Sequence, residues 1–245
     1  MKKRADLLLI ENKIVESRNK AQAMIMAGQI YINGKKVLKS GELFDINSKV
    51  IYKSLHPQWV SRGALKLLHA LEYFEVKVDD FTCLDLGAST GGFTEVLLSK
   101  KVKKVYCVDV GKNQLHEKIK SNTKIINLSK TNARYLTSDI ISENINMIVC
   151  DVSFISMKKV IEPSLKFLDN KGIIIALIKP QFESKKNEIK KGGIVSDVKI
   201  HKRICNYYYD WFTKYCEMEV SGITPSPIKG SKGNNEFLIC ARKNL

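Results

Sequence analysis

From residue 61 onward, short apolar runs alternate with segments of helical period. Apolar runs at 83–86, 104–109, 146–151 and 172–179 predict strands. The stretch 63–68, with Ala64, Leu65, Leu67 and Leu68, predicts a helix, as do 157–168 and 197–215. A weak strand precedes Thr131, and late strands are predicted at 217–223 and 236–241. Strands separated by helices argue for a parallel sheet wound on both faces.

The first 55 or so residues follow a different pattern. Leu7, Leu8, Leu9 and Ile10 sit in a short helix-like run over 4–12. Ser17 is a fitting N-cap for a second helix over 18–26, and Gly28 supplies a stop. Ile30-Tyr31-Ile32 and Lys36-Val37-Leu38 flank Asn33-Gly34, a strong hairpin signal. This predicts a small module over 1–55, a linker at 56–60 containing Pro57, and a larger domain over 61–245. Trp59 is expected to pack at the boundary between them. The lysine- and glycine-rich stretch 183–193 reads as either a lid or an RNA contact.

The densest chemical signal is Asp85-Leu86-Gly87-Ala88-Ser89-Thr90-Gly91-Gly92-Phe93-Thr94, between a predicted strand and a helix-like run. Glycines at such a turn let the backbone approach a ligand closely. A dinucleotide site needs G-x-G-x-x-G. Here the spacing is G-x-x-x-G-G, which looks like the S-adenosylmethionine loop of methyltransferases. In a doubly wound sheet, ligands bind at the carboxyl ends of strands. Polar residues that close apolar runs are therefore candidates. Asp109 is placed to accept from ribose hydroxyls, or else to cap the turn at Gly111. Asn132 is placed to border an adenine. Asp151 and Lys179 close two further strands. A lysine ending an apolar strand costs desolvation unless it is paired or used. An ion pair with Asp151 is the plain explanation and catalysis the sharper one.

Composition narrows the partners. The net charge of +16 points to a polyanion, most simply nucleic acid. Arg4, Arg18, Lys20, Lys35 and Lys36 are the candidate phosphate contacts of the first module. The six cysteines form no C-x-x-C pair and the four histidines no cluster, so no metal is expected. The longest apolar run, Ile173 to Ile178, is far short of the ~20 residues of a membrane span. No signal-peptide core follows the charged N-terminus, and a cytoplasmic location is expected.

Arg4-Ala5-Asp6, the helix start at Ser17 to Ala21, and the stretch from Gly28 through Gly34 resemble the small RNA-binding domain named after ribosomal small-subunit protein four. In order along the chain, 59–67, 85–94, 151–156, 179–183 and 233–237 resemble the TlyA (haemolysin A) family of rRNA 2'-O-methyltransferases, which share the FtsJ-like catalytic pattern. The resemblance implies an α/β fold. Its catalytic domain would be a Rossmann-like methyltransferase with a mostly parallel seven-stranded sheet, its N-terminal domain a small α+β unit. It implies S-adenosylmethionine as cofactor and cytidine in ribosomal RNA as target, free or within a subunit. It carries the family's Lys-Asp-Lys-Glu catalytic set to Lys66, Asp151, Lys179 and Glu236. The cofactor set would be Asp85, Gly87, Ala88, Ser89, Gly91, Gly92, Phe93, Asp109 and Asn132. The chain's span looks like the shorter family type, associated with large-subunit rRNA, whereas the longer type also modifies small-subunit rRNA, which stays open as a second target. Pro57 stands where some relatives carry arginine. Two rival functions are a binding protein for rRNA assembly with vestigial catalysis, and the membrane lysis that the family's name suggests.

Overall fold

The computed structural model describes residues 2–26, 28–52 and 59–243. Pro57 and residues 56–58 of the expected 56–60 linker lie outside the described residues. The chain forms two compact units, Met1–Gln58 and Trp59–Leu245.

The first unit begins with a strand, β1 (Lys2–Arg4), followed by helices α1 (Ala5–Glu11) and α2 (Arg18–Met26). Arg4 therefore precedes the first helix, whose expected span began there. Ser17 caps α2 through its hydroxyl, which accepts from the Lys20 amide at 3.3 Å. Strands β2 (Ile30–Ile32) and β3 (Lys35–Lys36) form the predicted hairpin. Asn33 and Gly34 both take positive φ, +50° and +80°, as a tight hairpin turn requires. Two further strands escaped the sequence reading. β4 (Leu43–Asp45) pairs with β1, and β5 (Val50–Tyr52) pairs with β2. Each is only three residues long, too short for period-two alternation to register. Ala5, Leu8, Leu9, Ala21, Ile25, Ile30 and Ile32 form this unit's core.

The second unit is built on a seven-stranded sheet. Its strands are β6 (Thr82–Leu86), β7 (Lys104–Asp109), β8 (Ile125–Ser129), β9 (Ile145–Cys150), β10 (Leu168–Ile178), β11 (Met218–Pro225) and β12 (Phe237–Lys243). Their order is β11-β12-β10-β9-β6-β7-β8. Neighbours from β10 through β8 are parallel, while β12 runs antiparallel to both β10 and β11. Successive residues of β9 serve opposite cores: Ile148 and Cys150 on one face, Met147 and Val149 on the other. Burial on both faces explains why this strand reads as an unbroken apolar run.

The helices are α3 (Ala64–Tyr73), α4 (Gly92–Ser99), α5 (Glu117–Lys120), α6 (Lys158–Ile161), α7 (Pro180–Glu183) and α8 (Val198–Asp210). Two expected helices are shorter than their patterns. The one over 157–168 stops at Ile161 and continues as a 3-10 turn, Glu162–Phe167. Pro163 lies at that change; it has no amide hydrogen and its ring crowds the preceding turn. Past Asp210 the second becomes a π-helical turn, Trp211–Tyr215, that buries Trp211 and Phe212. Trp59 packs against the core face that contains Ala64 and Phe93.

Candidate active site

The register of the sheet brings the polar strand ends together. Leu86 faces both Cys150 and Val108 across the ladders, so the glycine turn, Asp109 and Asp151 share the carboxyl edge. β10 ends on the same edge, with Lys179 next in sequence. Because β12 is antiparallel, its beginning lies there too: Phe237 pairs with Ile178. Glu236 is thereby delivered beside Lys179. Lys66 enters from the first turn of α3, which packs against α4 and β12.

The four side chains form one alternating array. Lys66 Nζ lies 2.8 Å from Glu236 Oε2 and 3.5 Å from Asp151 Oδ2. Lys179 Nζ lies 2.5 Å from Asp151 Oδ1, an ion contact that lacks hydrogen-bond alignment and leaves Oδ1 without an aligned donor. Lys179 also donates to Ser153 Oγ at 2.9 Å. Gln181 Nε2 donates to the other oxygen of Glu236 at 3.1 Å. Lys66, Lys179 and Glu236 are buried and Asp151 partly so. Two cations and two anions at this depth compensate one another, whereas any one alone would carry a large desolvation cost.

The glycine turn borders two cavities. One, about 520 Å³, is lined by Gly87, Ser89, Asp109, Val110, Asn132 and Phe154 among others. The other, about 260 Å³, is lined by Ser61, Arg62, Ala88, Gly92, Phe93 and Lys179 among others. Gly87, Ser89, Asp151 and Ser153 line both. Gly87 has φ +82°, and a Cβ there would come within 3.0 Å of the Asp151 carbonyl and the Val152 side chain. Gly91, at φ +91°, opens α4, and a Cβ there would meet Ile119 at 2.2 Å. These are positions where only glycine leaves the backbone open to a ligand and the helix close to its neighbour. A turn of bare backbone beside a cavity of this volume, with Asp109 and Asn132 also in its lining, fits an adenosyl group.

The remaining cofactor candidates divide. Asp109 accepts from the Ser89 amide at 2.9 Å and the Gly111 amide at 2.7 Å, so it fastens the turn while lining the larger cavity. Asn132 accepts from the Arg134 amide at 3.1 Å and lines the same cavity. Asp85 lies elsewhere. Its side chain is buried beneath the turn, where it accepts from Thr94 Oγ1 at 2.6 Å and lines neither cavity. Burial pushes its carboxyl up to about 7. In this place it supports the turn through Thr94.

In the first unit, Arg4 and Arg18 share a buried partner that the sequence reading had not assigned a role. Asp6 is fully buried and receives Arg4 through two bonds of 3.0 Å and Arg18 at 3.3 Å. The Arg4 guanidinium is the main reason its carboxyl is held far below the usual range. Both arginine side chains stay about half exposed, 42% and 55%. Lys20, Lys35 and Lys36 are exposed. The 183–193 stretch is tied down: Glu188 holds Arg203 through two 2.7 Å bonds, and Asn234 donates to the Gly193 carbonyl at 2.9 Å.

Sequence comparison matches the FtsJ-like methyltransferase pattern to residues 59–243 and the S4 domain pattern to 4–50. Hemolysin A of Brachyspira hyodysenteriae is 39% identical over 91% of this chain and 92% of its own length. The 16S/23S rRNA (cytidine-2'-O)-methyltransferase TlyA of Mycobacterium tuberculosis is 35% identical over 98% of this chain and 89% of its own length. The chain belongs to the TlyA (hemolysin A) family of FtsJ-like methyltransferases. Another TlyA, the 23S rRNA (cytidine-2'-O)-methyltransferase of Campylobacter jejuni, is 34% identical over 96% of this chain and 98% of its own length. Among solved structures, a Streptococcus thermophilus protein provisionally named a hemolysin superposes with TM-score 0.79 at 36% identity. That match covers 99% of this chain and 89% of the other. A SAM-dependent methyltransferase from Aquifex aeolicus shares the fold alone, at 15% identity and TM-score 0.50 over 75% of this chain and 94% of its own. The matched span 59–243 contains the lysine–carboxylate array and the glycine turn. Ser153, Gln181 and Arg62 went without a role in the sequence reading, because nothing in their spacing distinguishes them from ordinary loop residues.

Proposed function

We propose that this chain transfers a methyl group from S-adenosylmethionine to the 2'-hydroxyl of a cytidine in ribosomal RNA, with large-subunit RNA as the first target to test. The observation that carries this reading is the joined array of Lys66, Asp151, Lys179 and Glu236, of which Asp151 lines both cavities and Lys179 the smaller one. Bound S-adenosylmethionine supplies a methyl on a sulfonium, already activated for displacement. The protein then has to align the attacking hydroxyl and take its proton. Lys179 takes or steers that proton. Asp151 orients both lysines. Glu236, fixed by Gln181, holds Lys66, which orients the ribose or its phosphate. Gly87, Ser89, Asp109 and Asn132 would hold the adenosyl part, with Ala88, Gly92 and Phe93 along the smaller cavity and Gly91 shaping the turn behind them. Arg4 and Arg18, held by Asp6, would contact RNA phosphates together with Lys20, Lys35 and Lys36.

Such an activity would act where rRNA is made. No described helix is long and apolar enough to cross a membrane, and no metal-holding group of His, Cys, Asp or Glu occurs among the described residues. The test is a nucleoside digest of rRNA from cells with and without the gene, paired with methyl transfer by the purified chain to isolated subunits. Loss of a 2'-O-methylcytidine that the purified chain restores supports the reading. No change in either assay favours an assembly factor whose catalytic domain is vestigial.

A further inference from the structure

We infer that Ser153 is a positioning residue for Lys179, setting which face of its nitrogen is left for the substrate. The inference rests on Lys179 being the group that takes or steers the 2'-hydroxyl proton.

An amine nitrogen has three positions besides its own carbon. Lys179 donates to Ser153 Oγ at 2.9 Å, its aligned acceptor, while Asp151 Oδ1 lies 2.5 Å away out of hydrogen-bond alignment. With one N–H bond held on Ser153 and Asp151 crowding a second side, one side of the nitrogen is left for the substrate, and in the neutral amine the lone pair takes it. Proton transfer then balances simply. The O2'–H bond breaks and its proton forms the third N–H bond of Lys179 with the amine's lone pair. The O–H electron pair stays on O2' and forms the bond to the methyl carbon, whose bond to the sulfonium sulfur breaks with its pair left on sulfur as a neutral thioether. Without the Ser153 acceptor, that N–H bond has no anchor and the lone pair has no fixed direction.

Ser153 is suited to this because its loop is held at both ends. The Asp151 amide donates to the Leu86 carbonyl at 3.1 Å. The Met157 amide donates to Glu183 Oε1 at 2.9 Å, and Ser156 and Tyr208 share a hydroxyl contact of 2.9 Å. Lys179 and Glu183 bracket the short helix α7, so one element grips the loop from both sides. Ser153 itself is exposed and lines both cavities, at the place where cofactor and target must meet. A serine serving only to satisfy a buried lysine has no need of that location, since Asp151 already pairs with Lys179.

Ser153→Ala, Ser153→Thr and Lys179→Ala, each in the full chain, are compared on purified ribosomal subunits. In Ser153→Ala, kcat is expected to fall about tenfold or more, with KM for RNA and SAM affinity by calorimetry within about twofold of wild type. Its melting temperature should move little, because Ser153 is an exposed residue and Asp151 still pairs with Lys179. Ser153→Thr keeps the acceptor and should recover kcat to within about threefold. An alanine variant with wild-type kcat overturns the inference, as does a threonine variant that falls as far as alanine. Should Lys179→Ala retain activity, the reading of Lys179 itself fails. An inactive Lys179→Ala beside a fully active Ser153→Ala removes Ser153 alone.

Discussion

The ammonium of Lys66 and the carboxylate of Glu236, 170 residues apart in sequence, meet at 2.8 Å with both side chains nearly removed from solvent. Truncating one partner leaves the other charged and buried. Lys66→Ala and Glu236→Ala are each expected to destabilise the second unit by about 3 kcal/mol or more. Replacing both with apolar residues of similar length should recover much of that loss while abolishing activity. A double-mutant cycle in urea checks the coupling. Additive single effects would show that the pair is not a unit.

Asp85 predicts a pH dependence with a definite sign. Burial raises its carboxyl from 3.8 to about 7, so the folded state holds the proton more tightly than the unfolded state does. Its contribution to stability is therefore greatest below the unfolded value and falls as pH rises through the folded one. Asp85→Asn keeps an acceptor for Thr94 and removes the titration. The variant should match wild type near pH 4 and become progressively more stable than wild type toward pH 8. Melting curves across that range check this, and parallel curves for the two proteins would contradict it.

Gly91→Ala forces a Cβ against Ile119 and places a side chain at φ +91°. A destabilisation of about 2 kcal/mol or more is expected, together with weaker cofactor binding, since the start of α4 carries the turn. Thermal melting and calorimetry with S-adenosylmethionine measure both. Gly34 also has positive φ, but no atom lies within 4 Å of its added Cβ. Gly34→Ala should thus cost only the conformational part, about 1 kcal/mol, and leave cofactor affinity unchanged.

Arg18→Ala should weaken RNA binding at all sequences and lower the slope of log affinity against log salt by about one ion. Asp6→Asn should weaken binding as well, although it removes a negative charge, because both guanidiniums lose their anchor. Filter binding at several salt concentrations distinguishes the cases. Tighter binding by Asp6→Asn would mean that Asp6 acts as a simple counter-charge.

Much of this molecule was written locally. Apolar runs located the strands of the second unit because both faces of its sheet are buried, and a doubly buried strand needs no alternation to be recognised. Asn33-Gly34 announced its hairpin because few other residue pairs accept positive φ twice. The glycine spacing after β6 separated a methyltransferase-like turn from a dinucleotide site. Asp109 and Asp151 could be singled out because polar residues ending apolar runs are rare. By contrast, β1, β4 and β5 left no mark, since three residues carry no period and such strands are stabilised only by their partners.

The sequence by itself determined which residue types would stand at the strand ends, because burial and turn geometry act within a few residues. Only the tertiary structure decided who meets whom. The antiparallel insertion of β12 brings Glu236 to Lys66, and the pleat of β6 sends Asp85 beneath the glycine turn instead of into the cavity. The burial of Asp6 between two arginines is likewise a product of packing. Register and strand direction are long-range choices. They depend on the whole sheet closing over its cores, and no local stretch of the chain contains them.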